Sequence, residues 1–185
     1  MKIVVKIIYI FLAVSFIGYL ALPNFQFPAP PTDALQSDEP ADIESSVRRA
    51  YFTNYTRSEI IAHYKKQMGD RSVFRSKFLS IELNYPPEEA QTIIRDQTRS
   101  TFLEEIAHPF RESIYINGFE PANPKDAIFI DNRSWRQKIT VKYVQSEIWT
   151  RILVGLLIVL LTPLFINFCR KSLIIFTGKI KWIFQ

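Results

Sequence analysis

Apolar residues run almost unbroken through two stretches near the ends of this 185-residue chain, Ile7 to Leu22 and Ile152 to Phe168; between them apolar and polar positions alternate in shorter patterns. As helices, both stretches reach or approach the roughly 17–25 residues that cross a hydrocarbon core. Neither holds an acidic residue, a His or a central Lys or Arg, the groups that mark ion paths and proton relays. The pair therefore reads as anchors rather than a pathway. Pro163, following Thr162, predicts a kink in the second.

The middle of the chain reads as a folded domain. Val47 to Thr53 fits a strand. Thr56-Arg-Ser-Glu59 is a capping box, and the helix it opens places Ile60, Ile61, Tyr64 and Met68 on one face before Gly69 ends it. Leu79, Ile81, Leu83 and Tyr85 alternate with Ser80, Glu82 and Asn84, the period of a half-buried strand. Pro86 and Pro87 then open a second predicted helix, over 87–108, with Glu88 and Glu89 suited to its first turn.

That second helix changes phase. Ala90, Ile93 and Ile94 share one face, while Phe102, Leu103 and Ile106 point away from it. Either it breaks near Thr98 to Ser100, with Thr101-Phe-Leu-Glu104 as another capping box, or it buries two faces. Pro109 ends helicity. Arg111 to Ile116 follows as a strand, Asn117-Gly118 as a turn, and Ala127 to Ile130 and Gln137 to Ser146 as further strands. These elements predict an α+β fold: a two-layer, sheet-plus-helices extracytoplasmic domain flanked by two transmembrane helices.

Charge orients this arrangement. The net charge is +5 and the pI about 9.3, yet residues 23–147 hold 16 Lys and Arg against all 18 Asp and Glu. The basic excess lies entirely beside the apolar stretches, at Lys2, Lys6, Arg151, Arg170, Lys171, Lys179 and Lys181. No basic domain surface is implied, and no nucleic-acid partner. Lys2 and Lys6 place the N-terminus inside, and Arg170 and Lys171 return the C-terminus to the cytoplasm. A cleaved leader needs small residues at −3 and −1, but the sites ending at Ala21 or Ala29 carry Tyr19 or Phe27 at −3, so a retained anchor is expected. The organisation is then a first span over 1–22, a Pro-rich extended linker over 23–46, the domain over 47–147, a second span over 148–169 and a cytoplasmic tail over 170–185 lying along the membrane. The single cysteine, Cys169, cannot form a disulfide within the chain.

Little in the sequence carries chemistry. His63 and His108 lack metal-ligand spacing to any partner, and the Glu88/Glu89 and Glu104/Glu105 doublets read as first-turn or surface charge. There is no nucleophile elbow, phosphate loop or CxxC. The sequons Asn54-Tyr-Thr56 and Asn132-Arg-Ser134 matter only in a eukaryotic secretory route. No catalytic, metal or cofactor residue is assigned, and no small-molecule ligand is evident. Trp135 between Arg133 and Arg136 offers an interface, because Trp and Arg anchor many. The second predicted helix offers another, through its face of Ile93 and Ile94 or its face of Phe102, Leu103 and Ile106. The expected function is a membrane-anchored envelope protein displaying a non-catalytic interaction or assembly module. Its expected partners are the lipid bilayer and either a second copy or another envelope protein. An extracytoplasmic hydrolase and a sensor signalling through a partner are the alternatives.

Overall fold

The alternation at Ile139, Val141 and Tyr143 builds the strand around which the domain forms. The computed structural model describes residues 3–70 and 80–183, and the chain divides into two units: Asn24–Ser146, and the terminal segments Met1–Pro23 with Glu147–Gln185.

In the first unit the strands are β1 (Leu35–Gln36), β2 (Arg48–Thr53), β3 (Ile81–Tyr85), β4 (Phe102–Ala107), β5 (Ser113–Phe119), β6 (Ile128–Ile130), β7 (Arg133–Trp135) and β8 (Gln137–Val144). Six form an antiparallel sheet in the order β1-β2-β8-β5-β4-β3, and β6 and β7 make a separate hairpin. With the helices this is an α+β fold, as the patterning predicts.

Register sorts the side chains. Ile106, Ile114 and Tyr143 lie in one row across β4, β5 and β8, and Ile116 lies beside Val141. This face packs against Ile60, Ile61, Tyr64 and Met68 of a helix over Arg57–Asp70. The capping box that opens the helix is present: the Thr56 amide donates to Glu59 Oε2 (2.8 Å), and the Glu59 amide to Thr56 Oγ1 (3.3 Å). The opposite face is covered by Ala90 and Ile94, packed on Leu103.

Three expectations differ from what forms. The predicted helix over 87–108 is instead a 3₁₀ turn at Pro87–Glu89, a π turn at Gln91–Arg95 and strand β4. The apparent phase change is the signature of that strand. Successive side chains of a strand point to opposite faces, so Phe102 and Ile106 meet the helix while Leu103 meets Ile94. Asn117-Gly118 is no turn but lies within β5. A Cβ on Gly118 would sit 2.0 Å from the Phe102 ring, so glycine is there to admit that ring. Leu79 lies outside the described residues.

The third difference concerns residues 23–46. Rather than a free linker, Asn24 onward is a strap laid on the domain. Phe25, Phe27 and Ala34 pack against the core. Asp33 accepts from Thr53 Oγ1 and the Asn54 amide, both at 2.7 Å. A short helix, Pro40–Ile43, brings Asp42 under the sheet, where Ser37 Oγ (2.7 Å) and Lys138 Nζ (2.7 Å) reach it. Prolines suit such a strap because they hold an extended backbone with no amide left to satisfy.

The second unit consists of two helices, Ile3–Leu20 and Ile148–Ile183. Both are long and apolar enough to cross a membrane, the second over Ile148–Ile174, which is compatible with a two-pass membrane protein. They pack together. Tyr9 Oη donates to the Val159 carbonyl and Arg151 Nη2 to that of Leu22 (3.2 Å). Gly155 lets Leu20 approach so closely that a Cβ there would lie 2.4 Å from Leu20 Cδ1, the small-residue contact by which apolar helices associate. The helix runs unbroken through Pro163 and past Arg170, where a separate tail was expected.

Candidate functional site

The first turn of the Arg57–Asp70 helix faces the outer part of the sheet, and a groove of about 760 Å³ opens between them. Its walls are Arg57, Ser58, Ala62 and Lys65 on the helix and Glu82, Asn84 and Glu104 on β3 and β4, with Glu120 and Arg136 at one end. Strand period places Glu82 and Asn84 on this side, because they pair with Ile106 and Glu104 of β4.

Cations and anions pair around the groove. Arg57 binds Glu104 Oε1 through Nε (3.1 Å) and Nη2, and its guanidinium lies 5.1 Å from the Phe102 ring centre. Lys65 Nζ meets Glu82 Oε2 at 2.5 Å, and Arg136 Nε meets Glu120 Oε1 at 2.8 Å. Glu104 is the buried member, 3% exposed, and its second oxygen has no hydrogen-bond partner among the described residues. A buried carboxylate oxygen without a donor is costly. Beside the groove, the Thr56 amide and then its hydroxyl hold the Glu59 carboxyl below its usual range.

The groove runs along β3, the last strand of the sheet. No strand pairs with the outer side of β3 among the described residues. Ile81 and Leu83 are 48% and 42% exposed there. The edge carries neither proline nor lysine within Ile81–Tyr85, the residues that commonly blunt such edges.

The residues singled out from sequence fall in different places. Phe102, Leu103 and Ile106 are core, each at most 3% exposed, so they are not a partner-facing surface. Trp135 is also buried, and its indole N–H donates to the Ile130 carbonyl (3.3 Å), closing the β6–β7 hairpin. Arg133 is exposed on that hairpin, while Arg136 alone of the trio reaches the groove. His63 holds the strap, its Nε2 lying 3.0 Å from the Ala29 carbonyl. His108 is buried against Glu112 (Nδ1 to Oε1, 2.8 Å).

Glu104 and Glu105 are not surface charge. They occupy opposite faces of β4 and both are buried. Glu105 Oε2 accepts from Tyr85 Oη (2.6 Å), and this bond, with burial, pushes the Tyr85 phenol well above its usual range. The one sequence signal for them was an acidic pair inside an otherwise apolar run. Among the described residues no group of His, Cys, Asp and Glu is arranged to hold a metal ion. Comparison with family models, curated proteins and solved structures finds no match.

Proposed function

We propose that this chain is a two-pass membrane protein of the cell envelope, with both termini cytoplasmic and the sheet domain displayed outside. On this reading the domain is a non-catalytic interaction module and a subunit of a membrane complex. The observation that carries it is the edge of β3, unpaired among the described residues, beside a groove where the second carboxylate oxygen of buried Glu104 has no donor among them. An extended segment of a partner protein, added to β3, supplies main-chain hydrogen bonds to the edge, and its alternate side chains point into the groove. A donor group on one of them completes Glu104. The three ion pairs lining the groove neutralise one another, which suits a polar, uncharged or mixed-charge segment. Close packing of the two terminal helices at Gly155 supports a retained first span.

Leu83→Pro removes a β3 amide and inserts a ring at the edge. In native membranes, a photo-crosslinker at Asn84 is expected to give one defined product that Leu83→Pro abolishes. A chain that stays monomeric in detergent by light scattering, with no product at Asn84, counts against the module. For topology, Gln36→Cys in a Cys169→Ser background is expected to react with an impermeant thiol reagent on intact cells. Protection until lysis reverses the orientation.

A further inference from the structure

One turn at the end of the sheet buries its charges and presents a phenylalanine. The turn from β4 to β5 carries His108, Arg111 and Glu112, and all three are inside: Glu112 lies between His108 Nδ1 (2.8 Å) and Arg111 Nη2 (3.2 Å), with side chains at most 2% exposed. The exposed side chain of the turn is Phe110, at 63%. Its φ is 61°, a left-handed backbone in which a bulky L side chain is strained and glycine is not. Such an outlier points to a use for the side chain.

The surrounding end is apolar too. Register puts Ile81, Ala107, Ser113 and Val144 in one row across four strands, and its outer members Ile81 and Val144 are 48% and 37% exposed. Both junctions of the domain lie at this end. Asn24 Nδ2 donates to the Ser146 carbonyl (3.1 Å), and Ser146 Oγ donates to the carbonyl of Arg111 in the turn itself. Two residues after Ser146 the apolar helix begins, at Ile148.

We infer that this end of the domain is a lipid-contacting rim, with Phe110, flanked by Ile81 and Val144, entering the boundary between headgroups and acyl chains. Aromatic rings are favoured at that depth. Folding His108, Arg111 and Glu112 inward removes the charges that would oppose entry. The inference rests on the proposed reading that the helices span a bilayer with the domain outside. It adds that the domain itself touches lipid.

The full chain is tested in vesicles of phosphatidylcholine and phosphatidylglycerol. In a Cys169→Ser background, Phe110→Cys, Phe129→Cys on the β6–β7 hairpin and Leu157→Cys in the span each carry a nitroxide. Collisions with oxygen, which concentrates in lipid, are compared with collisions with a water-soluble nickel chelate. Position 157 is expected to favour oxygen and 129 nickel, and position 110 to show nickel access several-fold below that at 129 with raised oxygen access. If 110 matches 129 while 157 remains in lipid, the rim is refuted and the anchor stands. Shielding of 110 from both reagents means that protein covers it and likewise refutes the rim. An aqueous signal at 157 overturns the anchor reading itself.

Discussion

Against the Arg57–Asp70 helix the sheet packs Ile106, Ile114, Ile116 and Val141, all at most 1% exposed, with the Tyr64 ring among them. The same sheet, turned over, also buries polar groups, Asp42, Arg48, Asn117 and Thr140, each at most 6% exposed. There Lys138 Nζ binds Asp42 and Glu39, Lys142 Nζ donates to the Ile93 carbonyl (2.5 Å), and Asn117 Nδ2 donates to Gln97 Oε1 (3.1 Å). Burial alone would lower the Lys138 ammonium's hold on its proton, but the contacts with Asp42 and Glu39 outweigh it and raise its pKa. One face is closed by volume and the other by specific partners. The first should respond to how much side chain is removed, the second to whether a partner is orphaned.

The largest effect is expected on the volume side. Ile106→Ala deletes fully buried methylenes between strand and helix, and should cost about 3–4 kcal/mol, read as a lowered urea midpoint for the full chain in detergent. Leu103, the next residue, faces the other way onto the smaller cluster of Ala90 and Ile94. Leu103→Ala should cost about 2–3 kcal/mol, because the covering turn can settle onto the gap. Equal costs at the two positions would mean that both faces are packed alike.

This contrast also explains what could be read from the sequence. The volume face follows from local periodicity: Ile60, Ile61, Tyr64 and Met68 mark one helix face, and Ile139, Val141 and Tyr143 one strand face, before any contact is known. The partnered face does not, because Asp42 and Lys138 are 96 positions apart and nothing local marks either as buried. The strap over 24–46 looked like a linker for the same reason; its prolines are local, whereas the contacts that hold it are distant. β4 reads as helix because Phe102, Leu103 and Ile106 are spaced to satisfy a helical pattern, while burial on both faces of an interior strand erases the alternation that identifies one. The groove is least legible of all. Arg57, Glu82, Glu104 and Arg136 come from four separate places in the chain, and of these only Arg136 reads as an interface residue in the sequence.

On the partnered face the sharper test is a pair of substitutions. Asp42→Ala leaves Arg48 buried and takes one partner from Lys138, and should cost about 2–3 kcal/mol. Asp42→Asn keeps the volume and the bond from Ser37 and should cost less. If the two variants are equally destabilised, the missing charge matters and the missing volume does not. If Asp42→Asn matches the unaltered protein, the face is held by shape after all, and the contrast with the helix side fails.

The smallest expected effect lies at a polar device on the volume face, the exposed capping box of its helix. The Thr56 amide and hydroxyl hold Glu59 ionised, so its folded pKa lies below the unfolded value of about 4.3. A depressed carboxyl contributes stability that is fully present above the unfolded value and is lost as pH falls through the folded one. Glu59→Gln abolishes that titration while keeping an acceptor near Thr56. The unaltered protein should therefore exceed the variant slightly in urea midpoint at pH 7, and the gap should close as the pH is lowered below about 4. A gap that persists unchanged to pH 3 assigns the cap's contribution to the shape of the side chain rather than to its charge.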